Sequence, residues 1–362
     1  MNWQELLTER QNRLQLITST HTTAADLVKW FGAIQAQDHG QALWNIGSKI
    51  NHTKSQVDAA IASGTIIRTW SLRGTLQFHA AEEVSAYLHL VAPKFIRSIA
   101  SRYRDLNLDE PLLNKCIKLF EKALHKNHQL TREAMQQVLM QHQIDASGLR
   151  LAHILQYAAM KQSICFGPRK NNEYTFELLS EKTTVHPGID REQQLLKLLN
   201  SYFQSHAPAS LLDFLWWSGL TLQEVKPLLN SNDFAFTAIS VDGHAYYVPN
   251  AQTVFTSTKN KVFLLAGFDD FLLAYRDRSR LVDEPYTPLV FTKNGLFNPA
   301  LLINGKIAGV WKRTFKKNTV VIQVQTFRKL TTPEHKELLH QLELYKQFSE
   351  QKELTYTITV IN

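Results

Sequence analysis

The sequence predicts an α+β fold in which blocks of three helices and a β-hairpin recur along the chain before a β-rich C-terminal domain. Two observations carry this. Helical apolar spacing gives way to short alternating runs three times in succession, and from Val262 onward the chain is mostly strand-like, with turn signals between the runs.

In the first block the polar cluster Thr18 to Thr23 places Thr23 as N-cap of a helix over 24–34, where Leu27, Trp30, Phe31 and Ile34 recur at helical spacing. Asp38-His39-Gly40 breaks the pattern. Further helices are expected over 42–50 and 54–63, with Gly64 as stop signal. Residues 65–79 are rich in β-branched and aromatic side chains around Gly74 and read as a hairpin. Three helices followed by a hairpin is the order of a winged helix. Helices resume over 81–103.

The second block repeats the order: helices over 112–126, from Thr131 as N-cap, and over 148–161, then a hairpin over 163–178 with a polar, basic tip. The third follows a break at His186-Pro187-Gly188, with helices over 190–203, 210–217 and 221–230 and a hairpin over 234–248 turning at Asp242-Gly243. Beyond it, Asn304-Gly305 and Lys317-Asn318 mark turns, a helix spans 333–351, and 354–361 is a closing strand. The blocks share elements rather than sequence identity, so the repeat is structural. The expected division is three tandem winged-helix domains, 1–110, 111–186 and 187–260, and a β-rich domain over 261–362.

The 362 residues are 44% hydrophobic and 20% charged, enough for two or three domains with ordinary cores. Cys116 and Cys165 stand in no metal or redox spacing and are expected to be inert thiols. A helical pattern begins directly after Met1, without the features of a signal peptide, and no apolar run matches a membrane span, so a cytoplasmic protein is expected. The net charge of +8 and pI near 9.3 attract polyanions, of which nucleic acid is the commonest in a cell. A phosphate-cradling glycine loop, a dinucleotide fingerprint and an HExxH zinc motif are all absent from the sequence, so no cofactor or metal is expected.

Four segments stand out. In Ile34-Gln35-Ala36-Gln37-Asp38 two glutamines alternate at the end of an apolar helix. They are either surface filler or amides aimed into a cleft. A neutral amide cannot act as general base, yet its carbonyl oxygen can orient water and stabilise positive charge. Arg68 and Arg73 bracket Trp70 on a hairpin, either as a wing reaching phosphate or as solvated flanks of a core. The aromatics of Phe214-Leu215-Trp216-Trp217 could stack bases, although helix packing is the more usual use. Asp269, Asp270 and Arg276 belong to a run of close acids and bases, either a structural ion-pair network or the polar wall of a cleft.

Together, Gln35-Ala36-Gln37, Arg73-Gly74-Thr75-Leu76, Ile164 to Arg169, Asp213 to Leu220, Gly267-Phe268-Asp269-Asp270 and Asn304 to Arg313 resemble the winged-helix DNA glycosylases of the AlkZ and YcaQ type, over nearly the whole chain. The resemblance implies three tandem winged helices, a β-rich C-terminal domain and a concave basic surface for double-stranded DNA. It implies Gln35 and Gln37 as the catalytic pair; from the residues themselves, Arg68, Arg73, Arg169 and Lys170 are expected on DNA and Asp38, Asp269, Asp270 and Arg276 as polar cleft residues. Relatives often carry Leu-His after Arg-Gly-Thr, where this chain has Leu76-Gln77, so a role for that histidine is not carried over to His79. The implied activity is excision of N7-alkylated, bulky or cross-linked purines. No lysine stands out as a Schiff-base nucleophile, so a monofunctional enzyme is expected; it is also expected to be a monomer. The competing expectation is a non-enzymatic winged-helix regulator.

Overall fold

The computed structural model describes residues 1–183, 190–250 and 261–361, and the expected break at 186–188 lies outside them. In chain order come α1 (Trp3–Arg13), α2 (Ala24–Phe31), β1 (Ile34–Gln35), α3 (His39–Ile50), α4 (Lys54–Ala62), β2 (Ile66–Trp70) and β3 (Leu76–Ala80), followed by α5 (Ala81–Ser98) and α6 (Ala100–Asp105). The next block is α7 (Glu110–Asn127), β4 (Leu130–Thr131), α8 (Arg132–Gln141), α9 (Arg150–Met160), β5 (Ile164–Lys170) and β6 (Glu173–Leu178). A third runs through α10 (Arg191–His206), α11 (Leu211–Ser218), α12 (Leu222–Val225), β7 (Phe236–Val241) and β8 (His244–Pro249). The last stretch holds β9 (Val262–Leu265), α13 (Asp270–Leu273), α14 (Thr287–Val290), β10 (Ala300–Ile303), β11 (Lys306–Lys316), β12 (Thr319–Thr326), α15 (Thr332–Phe348) and β13 (Glu353–Val360). The chain is thus a mixed helix-and-strand protein.

Local chemistry accounts for most boundaries. The side chains of Thr23, Thr131 and Ser210 accept from the backbone three residues on and cap α2, α8 and α11. Asp242-Gly243 and Asn304-Gly305 turn their hairpins with positive φ at both residues, as tight hairpin turns require. Two expectations need correction. The helix expected over 24–34 stops at Phe31, because Gly32 takes φ 76° and closes it, so Ile34 and Gln35 form a short strand. The helix expected over 221–230 is α-helical only through Val225 and tightens into a 3₁₀ stretch over Lys226–Asn230, where Pro227 supplies no N–H.

The chain forms two compact units, Asp58–Leu198 and the combination of Met1–Val57 with Leu199–Asn362. In the first, β3, β2, β5, β6 and β4 lie side by side in that order. Its core gathers Phe120, Met135, Leu155 and Phe176 from α7, α8, α9 and β6. Gly74 closes the β2–β3 turn with φ 75°, and a Cβ there would lie 1.9 Å from the ring of Phe95, so both the dihedral and the space demand glycine. Burial pushes the thiols of Cys116 and Cys165 up, to about 11 and about 12, which keeps them protonated at neutral pH.

In the other unit β13, β12, β11, β10 and β9 form a sheet, antiparallel except for the parallel pair β12–β13 that α15 connects. Leu338, Leu342 and Tyr345 lie on one buried face of α15. Tyr345 packs edge-on against Trp44 of α3 at 4.9 Å and Trp311 of β11 at 5.0 Å. A Cβ on Gly47 would come within 2.6 Å of Phe348, so α3 and α15 pack closely there. The aromatic run of α11 is mostly core: Phe214 and Trp217 are buried among Tyr202 and Phe203, and Trp216 alone is exposed.

Candidate active site

The glutamine segment is placed by α3. Three side chains of that helix bolt it to β9 and the loop after it. Trp44 Nε1–H donates to the Leu264 carbonyl at 2.7 Å, and Gln41 Oε1 accepts from the Gly267 N–H at 3.1 Å. Lys49 Nζ donates to Asp269 Oδ2 at 3.0 Å and also to Asn45. The N-terminus of α3, and the bend before it, are therefore fixed against the second half of the chain.

Within that bend Gln35 is 6% exposed, Ala36 is fully buried and Gln37 is exposed. One amide is thus seated in the protein and the other is presented to solvent. Asp38 is half-exposed, but its carboxylate is committed: Oδ1 accepts the Gln41 N–H at 3.0 Å as N-cap of α3 and lies 3.9 Å from the Arg313 guanidinium. A carboxylate so engaged is a poor candidate for a general base.

The other acids expected on a cleft wall are almost wholly buried, although Asp269 borders a cavity it shares with Trp44 and Lys49. Asp269 and Asp270 are each 1% exposed. Asp269 caps α13 through the Phe271 N–H and pairs with Lys49. Asp270 faces the His206 ring, with 3.6 Å between Oδ1 and Nε2, and His206 Nδ1 meets the Ser205 hydroxyl at 2.8 Å. These are interior contacts joining α13 to α3 and α10. The sequence exposes neither the partners nor the burial, since both partners lie far along the chain. Arg276 is exposed, and its N–H donates to Asp213 Oδ1 at 2.8 Å. Asp213 also closes the capping box of α11 and lies 3.7 Å from Arg10, which is stacked over the Tyr275 ring at 3.6 Å.

The expected DNA-contacting arginines divide. Arg68 is 2% exposed and lies over the rings of Phe166 and Tyr174 at 4.6 and 4.5 Å, so its guanidinium is packed in the protein interior. Arg73 is half-buried on the β2–β3 turn with φ 56°. Arg169 and Lys170 are exposed at the tip of the β5–β6 hairpin, where Asn171 and Asn172 supply positive φ. His79 is fully buried, 4.8 Å from Tyr87. Sequence reasoning gave no role to Arg313, or to the β11–β12 hairpin beyond it. There Lys312, Phe315, Lys316 and Lys317 are all exposed. Trp311, Arg313 and Phe315 alternate along β11 and so share one face.

Comparison with known proteins gives the class first: this is a DNA glycosylase, an enzyme that hydrolyses the bond between base and deoxyribose. The profile of AlkZ-like DNA glycosylases matches residues 28–348, and the chain belongs to that family. A relative from Streptomyces sahachiroi, described as an interstrand DNA cross-link repair glycosylase, is 24% identical over 331 residues, covering 86% of this chain and 88% of the relative. The solved structure of Streptomyces sahachiroi DNA glycosylase AlkZ matches with a TM-score of 0.79 at 20% identity, over 99% of this chain and 100% of that one.

Proposed function

We propose that the protein is a monofunctional glycosylase that releases N7-alkylated purines from duplex DNA, cross-linked and bulky adducts included, with Gln35 and Gln37 as its catalytic pair. The observation that carries this reading is the placement of Gln37: a neutral amide held exposed on a fixed bend beside a carboxylate that is already engaged. The cross-link part rests on the description of the relative from Streptomyces sahachiroi.

The chemistry asks for little more. N7-alkylation gives the purine a positive charge and weakens the glycosidic bond. As that bond breaks, its electron pair leaves with the base, which departs neutral, and the sugar becomes oxocarbenium-like. Glutamine carbonyl oxygens stabilise that cation and orient a water whose oxygen bonds to C1′ and whose proton passes to solvent. The substrate supplies its own leaving-group activation, so an amide suffices where a neutral base would require an acid.

For binding we read the three recurring blocks as winged helices over 1–110, 111–186 and 187–260, with a β-rich domain beyond, acting as a monomer. The second block supports this most fully, since β4 between its first two helices pairs with β6 of the hairpin. In the third, Ala209 takes the same place by bridging Tyr247. Exposed Arg169 and Lys170 at one hairpin tip and Lys312, Lys316 and Lys317 at another suit phosphate contacts.

The test is base release from duplexes carrying 7-methylguanine or a nitrogen-mustard cross-link. Gln37→Ala and Gln35→Ala are each expected to lower the rate by about 10²–10³, the usual cost of losing one such electrostatic group. Full excision by both variants would overturn the assignment.

A further inference from the structure

We infer that Arg313 is a positioning residue for base release: its guanidinium, set beside the Asp38 carboxylate and against Gly40 at the start of α3, fixes the bend that presents Gln37. The inference rests on the glutamine reading above and adds a residue from the opposite end of the chain.

Arg313 follows Trp311 on one face of β11. Trp311 is anchored by its ring against Tyr345 and by its Nε1–H, which donates to the Leu265 carbonyl at 2.9 Å. The strand is therefore immobile where the arginine departs. Its side chain is 16% exposed, in contrast to the exposed Lys312, Lys316 and Lys317 beside it. It lies beside the Tyr345 hydroxyl, whose pKa burial raises to about 12, and 3.9 Å from Asp38 Oδ1. It also reaches the first turn of α3, where a Cβ on Gly40 would come within 2.8 Å of Nη2.

A cation at a helix N-terminus opposes the helix dipole, so this is an unfavourable place for an arginine serving only as surface charge. The Asp38 carboxylate resolves the conflict, since it can receive the guanidinium and the Gln41 N–H together. The planar guanidinium lets one side chain sit against Gly40 and face the carboxylate at once, and a lysine cannot reproduce it. Gln37 precedes Asp38 directly, so restraint on the one is restraint on the other.

The experiment uses the full chain with Arg313→Ala, Arg313→Lys, Gly40→Ala and Gln37→Ala, and an Arg313→Ala/Gln37→Ala double variant. Single-turnover release of 7-methylguanine, DNA affinity against salt, and amide hydrogen exchange over 36–42 are measured. Arg313→Ala is expected to slow release by about 10–100-fold, within the range of losing a positioned group. Affinity and its salt slope stay unchanged, and exchange in the bend rises about tenfold or more, as expected for a locally loosened segment. Arg313→Lys does not restore the rate. Gly40→Ala, which keeps the charge but displaces the guanidinium, acts in the same direction. On the Gln37→Ala background, loss of Arg313 costs at most about twofold more, because residues acting as a unit are not additive.

A fall in affinity with a salt slope smaller by about one would make Arg313 a phosphate contact and overturn the inference. Multiplying effects of the two substitutions would overturn it as well. If Gln37→Ala alone releases base at the full rate, the glutamine reading fails by itself. The exchange measurement then decides the clamp: unchanged protection over 36–42 in Arg313→Ala rejects it.

Discussion

The joint between a short strand and the helix that follows is made differently in the first and second blocks. In the second, Thr131 ends β4 and is itself the N-cap of α8. The third is one residue longer, with Ala209 in the bridge and Ser210 next to it as the cap. In the first, β1 ends at Gln35 and the cap is Asp38, so Ala36 and Gln37 lie between them. The cap residue is also different: a hydroxyl serves the later blocks, whereas the first has a carboxylate that can hold Arg313. The comparison teaches that one architectural joint, lengthened by two residues relative to the third block and given a charge, becomes a place where a polar side chain can be presented without loosening the helix behind it.

The most severe test is to make the first joint like the third. Deleting Ala36 and Gln37 together should remove at least about 10² of the excision rate, the scale of one lost electrostatic group. DNA affinity should stay within about threefold, because phosphate contacts elsewhere supply it. Ala36 is fully buried, so a stability cost of about 1–3 kcal/mol is expected and is read separately from thermal unfolding. A deletion variant that folds and excises at the parental rate would show that the lengthened joint is not the site.

A smaller effect separates the two caps. Thr131→Ala and Asp38→Ala each remove a side chain that accepts one backbone N–H, and each should cost about 1 kcal/mol of stability. Only Asp38→Ala should also slow base release, since only that cap holds Arg313 over the bend. Equal activity in the two variants would reduce Asp38 to an ordinary cap.

Much of this architecture is legible in the sequence because it rests on local chemistry. Thr23, Thr131 and Ser210 announce their helices, and Asp242-Gly243 and Asn304-Gly305 their hairpins. The end of α2 is misread because Ile34 continues the apolar spacing beyond Gly32; the glycine was the truer signal. The four-residue α13 is too short to show a period. Around the site, the glutamines are visible as an unusual pair, but what holds them is not. Lys49 with Asp269, Arg10 with Asp213 and Arg313 with Asp38 join residues from opposite ends of the chain, and no local pattern couples them. The same blindness hides how deeply Asp269 and Asp270 are buried. Their type is evident in the sequence, while their burial depends on Lys49 and His206.

The finest test exchanges the caps. Asp and Thr are both good N-caps and differ by only a few tenths of a kcal/mol, so Thr131→Asp should leave stability nearly unchanged and activity untouched. Asp38→Thr should also preserve stability, because the hydroxyl can take over the Gln41 N–H. It leaves Arg313 without its carboxylate, however, and base release should fall about as far as it does in Asp38→Ala. Stability melts on both variants check the capping half of the argument, and single-turnover release checks the other half. If Asp38→Thr excises normally, the charge at that cap is incidental, and only the length of the joint distinguishes the first block from the second.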